Sequence, residues 1–93
     1  MKQPIVIKVY SDPGHGWGAV KRSVLFELGV LNRISSYSYQ RGKTVYLEED
    51  CDLELVVQKL IKLNIYFRFI ENYSDKPSPI RYYDHFEVQH ELG

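Results

Sequence analysis

The sequence predicts an α+β fold, a ferredoxin-like domain with the element order β-α-β-β-α-β and a C-terminal tail. A β-branched run over residues 5–10 precedes a glycine-rich stretch and indicates a first strand. Two further runs, residues 34–40 and 43–48, flank Arg41-Gly42 and indicate a hairpin. Apolar residues recur with a helical period over 53–61. We therefore expect a four-stranded antiparallel sheet with two helices on one face.

The first helix is expected over residues 19–28, because Val20, Val24 and Leu28 recur at helical spacing. Gly29 suits the left-handed position that follows many helices, and Val30 suits the hydrophobic contact beyond it.

Asp50 or Asp52 can cap the second helix with a side-chain oxygen. Asn64 can end this helix, and residues 65–70 then read as the last strand.

The chain of 93 residues allows one domain, since two cores would each be too small to offset the ordering entropy. We expect a core over residues 1–75 and a tail over 76–93 that could pack on the sheet as a further strand or short helix.

Twelve basic and twelve acidic residues leave no net charge, which argues against tight non-specific binding to duplex DNA. The single cysteine, Cys51, excludes an internal disulfide and favours a reducing, cytoplasmic setting. No apolar run approaches the roughly 20 residues that span a bilayer, and the N-terminus does not resemble a signal peptide, so no membrane partner is expected.

Strand alternation predicts which residues share a sheet face. With Arg41-Gly42 as a two-residue loop, Tyr39 opposes Thr44, and Val45 and Leu47 lie under the helices. The other face would then carry aromatic and basic side chains: Lys8, Tyr10, Tyr37, Tyr39, Tyr46, Tyr66 and Arg68. Such a face is typical of single-stranded nucleic-acid binders. Alternatively the tail covers it, or a second copy does in a homodimer.

The stretch from Ser11 to Gly18 holds three of the six glycines and the only tryptophan. The simplest interpretation is a tight strand-to-helix turn with Asp12 as its cap. Free N–H groups there could also hold an anion. Gly14-x-Gly16-x-x-Ala19 matches a dinucleotide fingerprint, but the acidic residue expected about 20 positions later is missing.

The same stretch offers a partner-binding surface, because tryptophan is a common hot-spot residue. The candidate partner-binding residues are Asp12, His15, Trp17, Lys21 and Arg22.

Residues 12–16, Asp-Pro-Gly-His-Gly, resemble a motif of zinc-dependent N-acetylmuramoyl-alanine amidases. The resemblance implies His15 as a zinc ligand, but the other ligands of that family have no clear counterpart, and His85 and His90 lie in the tail. Cys51 lies at a helix start among acidic residues that oppose thiolate formation. We therefore predict no catalytic residue, cofactor or metal, with an amidase-like hydrolase as the minor alternative.

Four segments together, residues 11–17, 35–42, 44–52 and 79–81, resemble a group of short bacteriophage-encoded proteins of unassigned function. The resemblance implies a phage product in the bacterial cytoplasm. From it we expect a non-catalytic module that binds a host protein or nucleoprotein, in the manner of an inhibitor of host machinery or defence. Binding of single-stranded nucleic acid through the tyrosines is the alternative.

Overall fold

The computed structural model describes residues 4–88 and shows an α+β fold, a mixed six-stranded sheet with two α-helices. The strands are β1 (Ile5–Ser11), β2 (Gly16–Lys21), β3 (Tyr39–Arg41), β4 (Thr44–Glu48), β5 (Phe67–Tyr73) and β6 (Asp84–His85). The helices are α1 (Arg22–Glu27) and α2 (Asp52–Lys62), with short 3₁₀ turns at Leu31–Arg33 and Pro79–Tyr82. The strand order is β5-β1-β2-β4-β3-β6; β5 runs parallel to β1 and the other neighbours are antiparallel.

The predicted four-stranded antiparallel ferredoxin-like sheet is therefore wrong, although the α+β class is confirmed. The largest difference is β2, which occupies residues where the first helix was expected to begin. Glycine-rich residues 12–15 form a hairpin turn between β1 and β2, not a strand-to-helix turn; the Asp12 N–H donates to the His15 carbonyl at 2.8 Å. α1 consequently begins only at Arg22.

Gly18 shows why β2 can lie in the middle of the sheet. It pairs with Val9 and Leu47, on the side that faces the helices. A Cβ atom at Gly18 would lie 2.7 Å from the Leu53 side chain of α2, so a larger residue here would force Leu53 to shift within the core.

The hairpin register differs from the predicted one by two residues. Its loop is Gly42-Lys43, and Tyr39 lies opposite Tyr46 instead of Thr44. Gly42 has a φ of 59°, which fits a turn with glycine first in a two-residue loop. A shift by two residues leaves every side chain of the strand on the same face. The predicted faces of the strand residues are therefore correct although the predicted register is wrong. Residues 34–38, also expected as strand, lie outside β3.

The predicted helix ends are confirmed. Gly29 and Asn64 take left-handed conformations after α1 and α2, and Val30 is fully buried. Neither Asp50 nor Asp52 caps α2. The Asp52 carboxylate is buried and accepts hydrogen bonds from Ser35 and Ser38, while a Glu48 oxygen accepts the N–H groups of Asp50 and Cys51.

One hydrophobic core joins both helices to the same sheet face, called here the helix face. Ile7, Val45 and Leu47 from the sheet meet Leu25 of α1 and Leu60 of α2, all fully or almost fully buried. In the described part of the chain, no helix is long and apolar enough to cross a membrane.

Candidate binding surface on the tyrosine face

The opposite face of the sheet, called here the tyrosine face, is defined by strand register. Lys8 lies opposite Ala19 and Ile70, Ala19 opposite Tyr46, and Tyr46 opposite Tyr39. Directly opposed residues share a face. Of the seven residues predicted for this face, the strands place five there: Lys8, Tyr10, Tyr39, Tyr46 and Arg68.

Tyr37 and Tyr66 lie elsewhere. Both precede their strands and are strongly exposed, Tyr37 in the turn before β3 and Tyr66 before β5. The carbonyl of Tyr66 accepts a hydrogen bond from the N–H of Ile5, so this residue joins the sheet only through its backbone.

Asp12 links the first turn of the chain to the C-terminal segment. One carboxylate oxygen accepts the N–H groups of Gly14 and His15 at 3.0 and 2.9 Å, which fixes the turn. The other accepts the Ser78 N–H at 2.8 Å and Arg81 Nε at 2.7 Å, and Arg81 also donates to the first oxygen. This bidentate pair, in which Asp12 is buried and Arg81 is partly exposed, explains why the pKa of Asp12 lies far below its usual range: hydrogen bonds from Arg81 and the backbone outweigh the cost of burial.

Trp17 is only 2 % exposed, so it presents almost no surface to a partner. The Arg81 guanidinium lies 5.6 Å from its ring centroid, and the rings of His15 and Tyr39 lie 5.9 and 6.2 Å away. Trp17 therefore acts in the structure as a packing residue between the sheet and the C-terminal segment. His15 remains exposed on the turn.

The C-terminal segment, residues 78–86, covers one half of the tyrosine face. Ile80 is 3 % exposed, and the Tyr83 ring lies 5.2 Å from that of Tyr46, which in turn lies 6.3 Å from Tyr10. Desolvation, with smaller effects of Tyr83 and Tyr10, raises the pKa of Tyr46. Tyr10, Tyr39 and Tyr46 are half-buried.

The half of the tyrosine face away from Ile80 is cationic, and it borders the C-terminal segment where Arg41 lies over the Tyr83 ring. Arg68, Lys8, Lys21 and Arg41 project from β5, β1, β2 and β3, and we call these four residues the cationic patch. Across five neighbouring strands the patch spans about 19 Å. Among residues 4–88, the strand positions of this face hold a single carboxylate, Glu48, at the other end of β4. None of the four cations forms a salt bridge within the described chain.

A groove beside the patch extends its positive charge around the edge of the sheet. It has a volume of about 780 Å³ and lies between α1 and the β3–β4 hairpin. Its lining includes Lys21, Arg22, Arg41 and Lys43, one acid, Asp84, and Phe26, which is 72 % exposed. The Arg22 guanidinium is held in place by Gln40 Oε1 at 2.7 Å and the Glu87 carbonyl at 3.0 Å, and it lies over the Phe86 ring.

The five predicted partner-binding residues thus separate into two groups. Asp12 and Trp17 are committed to internal contacts around Arg81, whereas Lys21 and Arg22 line the cationic groove at the other end of β2. His15 lies on the turn at the Asp12 end.

Sequence reasoning missed Arg41 and Arg81. The predicted register places Arg41 in the loop, whereas the observed register, shifted by two residues, places it in β3 and over the Tyr83 ring at 4.9 Å. Arg81 pairs with a residue 69 positions away, and no local pattern predicts such a partner.

Cys51 is exposed, and desolvation together with the carboxylates of Glu48 and Asp52 raises the pKa of its thiol. Within residues 4–88 no three His, Cys, Asp or Glu side chains are grouped to share a metal ion; His90, weighed as a zinc ligand, lies outside the described residues.

No known protein family, no curated protein and no solved structure matches this chain.

Proposed function

We propose that this protein is a small phage-type accessory protein in the bacterial cytoplasm, a non-catalytic module that binds a host protein or nucleoprotein. The cationic patch carries the proposal. Four positive side chains share one sheet face, and none of them forms a salt bridge among residues 4–88, although the whole chain has no net charge. A concentration of one charge on a surface favours a partner of opposite charge and speeds their encounter.

A second candidate function, direct binding of single-stranded nucleic acid, is favoured by the tyrosine rings beside the patch. Thr44 lies between Lys21 and Arg41, and Tyr46 lies two residues further along β4 on the same face. Lys8 lies two residues from Tyr10 on β1. Phosphates would contact the cations, and bases would contact the exposed parts of the tyrosine rings. The half-burial of these rings by Tyr83 makes this the second choice.

The test is capture of partners from bacterial lysate, before and after nuclease treatment, with charge-reversal variants. Lys8→Glu with Arg68→Glu reverses two charges of the patch. Lys62→Glu with Lys76→Glu is the matched control, since these lysines are exposed on α2 and in the loop after β5. We expect a specific partner to remain with the wild type and the control and to be lost from the patch variant.

The outcome separates the candidates. A host protein retained in both samples supports the first, whereas nucleic acid lost on nuclease treatment supports the second. In that case Tyr46→Ala should weaken oligonucleotide binding by about 1–3 kcal/mol. Equal capture by the patch variant and the control would contradict both.

A further inference from the structure

The β5 strand is an open sheet edge of unusual character. It forms one border of the sheet, hydrogen-bonds only to β1 within the described chain, and extends over seven residues. Six of these seven residues are exposed. The opposite border is the two-residue β6, which is too short to offer much of an edge.

Proteins usually protect an edge strand by shortness, charged side chains, a proline, a bulge or a cover. β5 carries two charged side chains, Arg68 and Glu71, but it has no proline or bulge, and its pairing with β1 is regular from Phe67 to Tyr73. It is also apolar on both faces. Phe69 on the helix face is 45 % exposed, and Ile70 on the tyrosine face is 38 % exposed. Unsatisfied backbone groups beside exposed apolar side chains favour the addition of another strand.

We propose that β5 pairs with β5 of a second copy in antiparallel orientation, which joins two sheets into one of twelve strands. The complementarity of the strand with itself identifies a second copy as the occupant. Pairing along all seven residues places the two-fold axis at Ile70, the middle residue. Arg68 then faces Asn72, Phe69 faces Glu71 and Phe67 faces Tyr73 of the other copy.

In this register no charged residue faces a like charge directly, and Phe67 facing Tyr73 is an aromatic pair, a kind that stabilises a sheet. The antiparallel arrangement also keeps both helix layers on one side. The two Phe69 rings are then diagonal neighbours, with Cβ atoms about 7–8 Å apart and within reach of aromatic contact. Glu71 also lies diagonal to its own copy, and this is the one unfavourable neighbour.

The first test is the mass of the purified protein by sedimentation. We expect a dimer whose dissociation constant rises at least tenfold in Ile70→Lys, because two lysines would meet on the axis. The matched control is Val6→Lys, at a tyrosine-face position of β1 that is similarly exposed, 41 %, but away from the edge. A monomeric wild type, or equal dimerisation of the two variants, would overturn the proposal. Circular dichroism checks that both variants fold.

The second test fixes the register with a bismaleimide that joins only thiols on adjacent strands. In a Cys51→Ser background, Ile70→Cys is expected to give a covalent dimer. Asn72→Cys should not, because positions 72 of the two copies lie four residues apart along the strands, about 14 Å. Cross-linking of Asn72→Cys as strong as that of Ile70→Cys, or failure of Ile70→Cys in a dimeric protein, would overturn the register.

Discussion

Asp12 shows how one carboxylate can organise two distant parts of a chain. Its oxygens accept hydrogen bonds from the turn at Gly14 and His15 and from Ser78 and Arg81. Asparagine keeps one acceptor oxygen but loses the charge and the second acceptor, so it cannot satisfy all of these donors. The substitution therefore weakens hydrogen bonds to both the turn and the C-terminal segment.

Asp12→Asn is therefore expected to lower the melting temperature at pH 7 more than Asp75→Asn, a change to an exposed carboxylate in the loop after β5. The difference should depend on pH. The pKa of Asp12 is lower in the folded protein than the value of about 3.9 in the unfolded chain, so its stabilisation is complete above that value. It is lost as the pH falls further, towards the folded-state pKa.

Thermal unfolding between pH 7 and pH 2.5 measures this effect. The wild type and Asp12→Asn should converge only below about pH 4. A constant difference across the range, or one that grows on acidification, would contradict the role of the Asp12 carboxylate.

At the scale of elements, the C-terminal segment depends on one anchor, Ile80. This side chain is buried against the tyrosine face while its neighbour Tyr82 is 85 % exposed. Truncation of a buried isoleucine typically costs about 2–5 kcal/mol, so Ile80→Ala should destabilise the protein by that amount and Tyr82→Ala by much less.

Fluorescence of Trp17, the only tryptophan, measures the effect on the segment directly. The buried ring should emit at short wavelength and resist quenching by iodide in the wild type and in Tyr82→Ala. Ile80→Ala should increase quenching below the unfolding transition. Unchanged quenching in this variant would show that the segment does not depend on Ile80.

The elements also show what a single sequence can predict. The ends of α1 and α2 were predictable because Gly29 and Asn64 act locally, through their own backbone conformations. β2 was not, because Val20 belongs both to the helical pattern that continues through Val24 and to a strand alternation. The strand is favoured by pairing with β1 and β4 on both sides, which no local pattern shows.

The same limit applies to the candidate surface. Alternation predicted the shared face of Lys8, Tyr10 and Tyr46, since it needs only the strand period. It left open whether the tail or a second copy covers this face, and it could not reveal that Arg41 joins it, because Arg41 depends on the register between β3 and β4.

At the scale of the whole molecule, zero net charge conceals separated charges. The cationic patch and Lys43 lie towards one end of the sheet, while Glu48, Glu49 and Asp50 follow β4 at the other end. In the proposed dimer, both patches would lie on one side of the joined sheet, with Lys8 and Arg68 of each copy near the axis. A single extended anionic partner could then contact both copies.

The C-terminal segment belongs to the same packed unit as the rest of the sheet. Phe86 is buried in the core cluster, and β6 pairs with β3. A chain that ends at residue 77 loses Ile80, Arg81 and Phe86 together. Because whole domains are stable by only about 5–15 kcal/mol, we expect it to lack a cooperative unfolding transition. A sharp transition in the shortened chain, followed by circular dichroism, would contradict this expectation.

The pairing of β1 with β5 and of Asp12 with Arg81 has a consequence for the newly made chain. As the protein leaves the ribosome, β1 cannot pair with β5 until residues 67–73 have been made. In the same way, the turn at Asp12 cannot bind Arg81 until that residue has been made. Such distant contacts slow folding, because a long loop must close before they form. Until then the apolar first strand and Trp17 stay uncovered. The chain is therefore most exposed to aggregation during its own synthesis, before its C-terminal partners have been made.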